Sequence, residues 1–516
     1  MRLRTVVILV LLVIPITWLA KSQPIGRASA PTPRQNGISY AAWAAGEYSS
    51  PHSNQALAEL RDTGADWISL IVTQYQDKLS STAIHPNSST PTDADLIHAI
   101  ARAHSLGLKV MLKPHVDLQD DPTEWRGAIG QGFTEGQWAT WFGSYANMIN
   151  RYAVLAQANS VEQFCVGTEL SATQGRVSQW RSVIAGVRAL YRGPLTYAAN
   201  WGTETSLTWW DALDVIGVDA YYPLTNKNNP TVAEMKAAWA PIVTMLADLS
   251  SRVQKSVIFT EIGYRSQDGT NQHPYDWLVV ASVDAQEQAD AYQAALETFF
   301  NQNWFVGAFW WAWAVYPSEG GPCNDDYTPH DKPAEDILRA WYGGGRRVTP
   351  RDPLPAEQRA MSIYSDGLGQ GWDDWSWNGS IDFTTSSPVY HGSRAISARL
   401  GPWGALSLHH ALFDSSPYYW LEFYARGSTA GQRLDVYAND DRDQELPYVW
   451  VCVEAGAWKL NRVRLSDMGA AQRLLQRITI KNSSPEASSF WVDELRLVGA
   501  TWRVYLPAIS RDRQAN

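Results

Sequence analysis

The sequence predicts a (β/α)8 barrel followed by an antiparallel β-sandwich of jelly-roll type. Three observations carry that prediction. Between residues 36 and 343, short apolar runs alternate with amphipathic segments about eight times, the pattern of buried parallel strands joined by crossover helices. Two of those runs, Gln-Phe-Cys-Val-Gly-Thr-Glu-Leu at 163–170 and Ser-Val-Ile-Phe-Thr-Glu-Ile-Gly-Tyr at 256–264, stop on a Thr-Glu pair. They set Glu169 and Glu261 at the C-terminal ends of strands, where a barrel builds its chemistry. From residue 361 onward the helical period vanishes, and short alternating runs recur between Gly, Asp, Asn and Ser turns, as in a sandwich. An open doubly wound sheet is the alternative to the barrel. It loses because no Gly-x-Gly-x-x-Gly turn follows an early strand.

Taken in order, the chain starts with Arg2 and Arg4, an apolar run over 6–19, and Ala28, Ser29 and Ala30. These read as the basic, apolar and small-x-small parts of a signal peptide spanning 1–30, so the chain is expected to be secreted, to the medium or the cell surface of a bacterium. An uncleaved anchor is the other reading; Pro15 and the shortness of the run argue against a full span. At 516 residues the chain exceeds one core and calls for two domains. Charged residues make up 18%, the net charge is −10 and no basic run occurs, which excludes nucleic acid as the expected partner. The three cysteines, Cys165, Cys323 and Cys452, show no metal spacing, and an odd count predicts no disulfide framework. Cys165 reads as a core residue.

Strand signals fall at 37–41, 67–72, 108–114, 163–168, 195–200, 213–218, 256–261 and 306–313, and helical ones at 53–63, 92–105, 135–158, 176–191, 231–250, 285–301 and 334–341. Thr92 before Asp93 and Asp95 is an expected N-cap. The chain holds 26 Trp and 23 Tyr; flat aromatics stack on the CH faces of sugars, although core packing is expected to absorb most of them. Two glutamates delivered to one barrel mouth are what glycoside cleavage needs, one to protonate the leaving oxygen and one to attack or activate water. A single Glu after a strand can equally anchor a loop; two in matching positions favour catalysis. His115 ends the third strand, Asn200 and Trp201 follow the fifth, and all three suit hydroxyl binding, with packing the commoner role for a lone His. The adjacent acids at 117–121 read as a solvated loop, so no metal is assigned in the barrel.

The Gly-Thr-Glu-Leu and Thr-Glu-Ile-Gly-Tyr motifs, on the fourth and seventh strands, resemble those of the retaining (β/α)8 glycosidase clan, and within it glycoside hydrolase family 113, the β-mannanases. The resemblance covers about residues 37–342. It implies that Glu169 is the acid/base and Glu261 the nucleophile of a secreted endo-β-1,4-mannanase working by double displacement, monomeric and without a cofactor, on a polysaccharide or oligosaccharide. It implies a tyrosine after the sixth strand that orients the nucleophile, with Tyr222 chosen and Tyr221 second, and Asp219 fixing a neighbour. It also implies a tryptophan floor on the eighth strand; by alternation Phe309, Trp311 and Trp313 share a face, which makes Trp313 the floor and sets Trp311 below it. One departure stands out. The clan places Asn before the acid/base to hold a sugar hydroxyl, and here Thr168 reaches less far. Another β-glycanase, an exo-glycosidase of the same clan and a non-catalytic carbohydrate-binding protein are the alternatives.

A Pro-rich linker is expected over 344–360, the sandwich over 361–499 and a tail over 500–516. The segment Ser-Ser-Pro-Val-Tyr-His-Gly-Ser at 386–393, with Trp-Val-Asp-Glu-Leu-Arg-Leu at 491–497, resembles galactose-binding-like domains. That resemblance implies carbohydrate binding and a structural calcium, with Asp366, Asp382 and Asp493 as oxygen donors; a packing module that binds nothing is the other reading. Alternation cannot bury Trp372, Trp375 and Trp377 together.

Overall fold

Eight parallel strands close into a barrel in chain order, β1 to β8. The computed structural model describes residues 34–121, 123–317, 319–345, 360–429 and 432–499. The expected signal peptide, most of the linker and the tail lie outside them. The barrel runs β1 (Gln35–Ala41), α1 (Pro51–Asp62), β2 (Trp67–Gln76), α2 (Asp93–Ser105), β3 (Lys109–Leu118), α3 (Glu135–Ala158), β4 (Gln163–Thr168), α4 (Val177–Leu190), β5 (Leu195–Asn200), β6 (Val215–Asp219), α5 (Val232–Val253), β7 (Val257–Ile262), α6 (Ala285–Phe299), β8 (Phe305–Ala314) and α7 (Pro333–Tyr342). Thr92, Thr134 and Thr231 each open a helix with a reciprocal capping box, which satisfies two orphan N–H groups at once and fixes where the helix begins.

Among the described residues, seven α-helices, not eight, follow these strands. The link from β5 to β6 carries only two short 3-10 turns, Glu204–Ser206 and Trp210–Ala212. Buried Trp209 stands in for the missing helix. Its ring stacks on Trp180 of α4 at 5.2 Å and meets Tyr197 of β5 edge-on at 5.0 Å, so the strand surface is covered without a helix.

Inside the barrel, Trp67, Met111, Cys165, Ala198, Ile258, Val306 and Phe309 form a closed apolar layer. A Cβ at position 37 would stand 2.3 Å from the Phe309 ring, so glycine there gives the ring its room. Along β3 the inward face continues at spacing two from Met111 to Lys113 and His115. Above the apolar plug the interior therefore turns polar, and that polar layer is the floor of the mouth.

The second domain comprises β9 (Ala360–Tyr364), β10 (Trp372–Asp374), β11 (Trp377–Thr385), β12 (Ala395–Asp414), β13 (Trp420–Gly427), β14 (Gln432–Asp440), β15 (Val449–Val453), β16 (Lys459–Arg464), β17 (Leu474–Asn482) and β18 (Ser488–Val498). All its strand pairings are antiparallel. The runs at 393–400 and 405–411 join into one twenty-residue strand, β12. Its first part pairs with β11 and β18 and its second with β10 and β17, so one strand serves both halves of the sheet. Trp372 is in the core, Trp377 is half-buried and Trp375 stands exposed, stacked on His409.

The expectation of no disulfide is overturned. Cys323, in the loop after β8, is bonded to Cys452 on β15, with Cα atoms 5.6 Å apart. The odd count misled: Cys165, read from the sequence as a core residue, is the buried free thiol, and the other two cysteines pair. Both domains fall within one compact unit that begins at Gln35.

Candidate active site

Glu261 lies in β7 with its carboxylate at the polar floor. Its Oε1 accepts from Lys113 Nζ at 2.5 Å and its Oε2 from the Tyr221 hydroxyl at 2.8 Å. The Lys113 ammonium also donates to both oxygens of Asp219, at 2.9 and 3.1 Å. Thr260 donates to Asp219 at 2.7 Å. One buried cation thus sits between two buried carboxylates. Burial opposes the charge on Lys113, and Asp219 and Glu261 outweigh it, holding the ammonium above its ordinary range. Burial and the Glu261 charge push Asp219 up to about 7, against the pull of Lys113.

Glu169 immediately follows β4 with φ at 55°, a left-handed conformation that costs a non-glycine residue energy and recurs at functional sites. Neighbours enforce it. The Glu169 N–H donates to Ala198 O at 2.8 Å, and the next N–H, of Leu170, donates to the Tyr197 hydroxyl at 3.1 Å. A Cβ at position 167 would meet Trp180 and Tyr197 at 2.8 Å, so the glycine of the Gly-Thr-Glu run lets two aromatics press against the strand end. Burial first, then the Asp219 charge, with a smaller push from Glu261, raises the Glu169 carboxyl to about 8, although Arg126 opposes them. The Arg126 guanidinium lies 3.7 Å from Glu169 Oε2 and 2.8 Å from Asp117.

Arg126 also fixes a proton. A guanidinium only donates, so its 2.9 Å contact with His115 Nδ1 makes Nδ1 the acceptor. Burial, Arg126 and Lys113 hold the ring well below its ordinary pKa, so it is neutral and carries its hydrogen on Nε2. That nitrogen is buried without a hydrogen-bond partner, 3.6 Å from Glu261 Oε1. It is a donor that faces the Glu261 carboxylate.

Of the expected site residues, Glu169, Glu261 and His115 converge. The tyrosine choice is corrected: Tyr221 holds Glu261, whereas Tyr222 donates to buried Glu204 at 2.9 Å. The β6 strand ends at Asp219, so strand alternation no longer decides which of two adjacent tyrosines turns inward. The tryptophan order is corrected too. Between Ile38 and Tyr40 of β1, β8 spends one extra residue, from Trp310 to Trp313. This bulge breaks the alternation. Trp313 is buried against His330 at 4.5 Å, and Trp311 stays half-buried at the mouth, stacked with His115 at 6.3 Å and near Trp43 at 6.4 Å. Asn200 and Trp201 sit beside one another, Trp201 stacked with Tyr275 at 5.5 Å. The Thr168 hydroxyl donates to Pro114 O at 3.4 Å. Lys113 and Arg126 escaped the sequence reading. A lysine two places before His115 inside an otherwise apolar run was the available signal, because an inward lysine in a barrel strand demands a carboxylate partner.

Among the described residues, those expected to hold calcium do not gather their carboxylates into one cluster. Asp366 accepts the Ser393 and Arg394 N–H groups, Asp493 those of Tyr390, His391 and Glu494, and Asp382 caps the turn at Thr384 and Thr385. Among the described residues, the trios of ligand atoms that do approach within 4.8 Å of one another are His330, Asp331 and Glu335, and Asp268, Asp284 and Glu287. Both carboxylate oxygens of Glu287 already accept from backbone N–H groups.

Residues 38–332 match the family model described as Glycoside Hydrolase Family 113, and residues 363–499 match that of the expansin-like protein C-terminal domain. Two solved structures of GH113 β-1,4-mannanase, one a complex, are 30% identical with a TM-score of 0.55, covering 61% of this chain and 100% of theirs. The β-mannanase AaManA from Alicyclobacillus acidocaldarius, in complex with ManMIm, is 29% identical with a TM-score of 0.56, over 60% of this chain and 98% of that one. No curated protein matches the chain at a significant level.

Proposed function

This chain belongs to Glycoside Hydrolase Family 113, and on that premise we propose that it is an endo-β-1,4-mannanase acting by double displacement, with Glu261 as nucleophile and Glu169 as acid/base. The observation that carries the proposal is the unequal treatment of the two carboxylates. Glu261 receives an ammonium and a phenol, which stabilise the anion needed for attack. Glu169 is pushed up to about 8, so it holds a proton at neutral pH. Environments that drive two acids apart assign their roles.

In the first step, a Glu261 oxygen bonds to the anomeric carbon as the glycosidic bond breaks, and Glu169 gives its proton to the leaving oxygen. Glu169, now ionised beside Arg126, takes a proton from the incoming water. That water bonds to the anomeric carbon, and the ester to Glu261 breaks. His115 offers its Nε2–H to a sugar hydroxyl, a role that Thr168, committed to Pro114, leaves open. Mannan is favoured by the similarity to enzymes described as β-1,4-mannanases. The N-terminal sequence supports export, and the working form is proposed to be the exported monomer.

Azide separates the two roles. Glu261→Ala should lose several orders of magnitude in turnover and, with azide, give a glycosyl azide of inverted configuration. Glu169→Ala should keep its attack on an activated aryl glycoside and give an azide product of retained configuration. Exchanged configurations would reverse the roles, and full activity in both variants would place the chemistry elsewhere. Reducing-end release from mannan, glucomannan, xylan, galactan and cellulose decides the sugar; preference for any but the first two removes the mannanase assignment.

A further inference from the structure

Beside the carboxylates the mouth opens into a cleft of about 680 Å³ that both domains line. Neither Glu169 nor Glu261 borders it. Trp311 lines the cleft and stacks with His115, whose Nε2 lies 3.6 Å from Glu261 Oε1. Trp43 and Tyr316 belong to the barrel side, and Pro447, Tyr448 and Trp450 come from the second domain.

The placement of those last residues follows from strand geometry. β15 ends its sheet, and side chains alternate along it. Val449, Val451 and Val453 pack into the domain core. Tyr448, Trp450 and Cys452 therefore point the other way, toward the barrel, and Cys452 is bonded there to Cys323. On the neighbouring strand Arg433, paired in register with Cys452, lies over the Trp450 ring at 5.0 Å and reaches Asp325 of the barrel at 3.2 Å. Asp325 is gripped from the barrel side by Arg265 at 3.5 Å. A disulfide and an Arg–Asp–Arg bridge thus hold this face in place, with Arg433 lying over one face of Trp450. Tyr448 remains 49% exposed, with its centroid 6.1 Å from that of Trp450.

We propose that Tyr448 and Trp450 form a sugar-binding platform that extends the catalytic cleft, so that the second domain takes part in substrate binding as a fixed wall. The occupant is a further stretch of the same glycan chain held at Glu169 and Glu261, because Trp311, which lines the cleft, packs on His115 beside Glu261. Large, half-exposed aromatics over an open groove suit the CH faces of pyranose rings. This inference rests on the glycan-hydrolase reading given above and adds the surface that selects chain length.

The test compares substrate lengths in the full chain. The ratio of kcat/KM for mannohexaose to that for a short aryl mannoside should fall about tenfold in Tyr448→Ala combined with Trp450→Ala, a drop in the range expected for lost aromatic contacts. Tyr448→Phe and Trp450→Phe should keep the ratio near that of the unaltered chain, which separates stacking from a loss of structure. An unchanged ratio in the alanine variant overturns the platform, as does an equal loss on long and short substrates. The oligomers are made from whichever β-glycan the unaltered chain cleaves. A sugar other than mannose then removes the mannanase assignment while leaving the length ratio to decide the platform, and a chain that cleaves none overturns both.

Discussion

Lys113 decides the charge state of the floor. It is the cation shared by Asp219 and Glu261, and all three side chains are buried or nearly so. Removing it leaves two buried acids with nothing between them, and like charges at that separation cannot both ionise. Lys113→Met should therefore lower kcat by about two to three orders of magnitude, as an uncompensated buried acid takes up a proton. Activity within tenfold of the unaltered chain would rule out this role. Tyr221→Phe should slow turnover by about tenfold, the scale of one charge-assisted hydrogen bond, whereas Tyr222→Phe should leave the pH profile in place. Glu169 supplies the pH test. Its carboxyl is raised to about 8, mainly by burial and then by the Asp219 charge, and in the proposed mechanism the protonated form is the active one. Activity should hold on the neutral side and fall as pH rises through that value, and the fall should vanish with an activated leaving group. The same sign governs stability. The folded pKa lies above the unfolded one, so ionisation opposes folding: stability is full below the ordinary glutamate range and is lost as pH rises toward about 8. Glu169→Gln should accordingly raise Tm at alkaline pH and leave it unchanged near pH ~4. Both glutamates were legible in the sequence because each closes an apolar run. Lys113 was not, because its partners lie 106 and 148 residues away.

At the scale of elements, one extra residue in β8 reassigns two tryptophans. Strict alternation sets Trp311 and Trp313 on one face, and the bulge opposite Ile38 and Tyr40 separates them. Trp313 is a core residue beneath His330, and Trp311 is the ring at the mouth. Trp313→Ala should cost about 3–5 kcal/mol of stability, the usual price of emptying a buried aromatic site, seen as a lowered denaturation midpoint. Trp311→Ala should instead raise KM and lower kcat/KM by about tenfold with little change in that midpoint. The opposite pattern would restore the alternation-based order. Periodicity reads strands well where the ladder is regular, as along β2 and β3, which pair without a break from Trp67 and Lys109 to Gln76 and Leu118. It fails at bulges, because the inserted residue is invisible until the neighbouring strand is known. The missing helix between β5 and β6 has a similar origin: Trp209, which covers those strands, precedes a three-residue 3-10 turn and belongs to no helical period.

At the scale of the molecule, the two domains were legible as a change of periodicity near residue 361, but their attachment was not, since no local pattern marks which cysteine meets which. The attachment has several components. Besides the disulfide and the Arg433–Asp325 contact, Gln55 donates to Asp467 at 3.2 Å and Arg464 lies 3.7 Å from Glu59. Such largely buried polar contacts contribute about 0.5–1.5 kcal/mol each, net of the water they displace. The disulfide closes a separation of 129 residues, and restricting the unfolded chain over a loop of that size contributes about 3–5 kcal/mol. It therefore outweighs any one of these polar contacts between the barrel and the sheet domain. Thiol titration of the denatured, unreduced chain should find one free thiol, that of Cys165, against three after reduction, because only Cys323 and Cys452 are paired. In calorimetry, Cys323→Ser combined with Cys452→Ser should lower the unfolding temperature and split a single transition into two, since the remaining polar contacts are too weak to make two cores melt together. The same variant should lose part of the preference for long glycans, because β15 would no longer be held against the mouth, while cleavage of a short aryl glycoside, which needs only the barrel floor, persists. Three free thiols before reduction, or an unaltered melting profile in the double variant, would show that the domains are joined by other means.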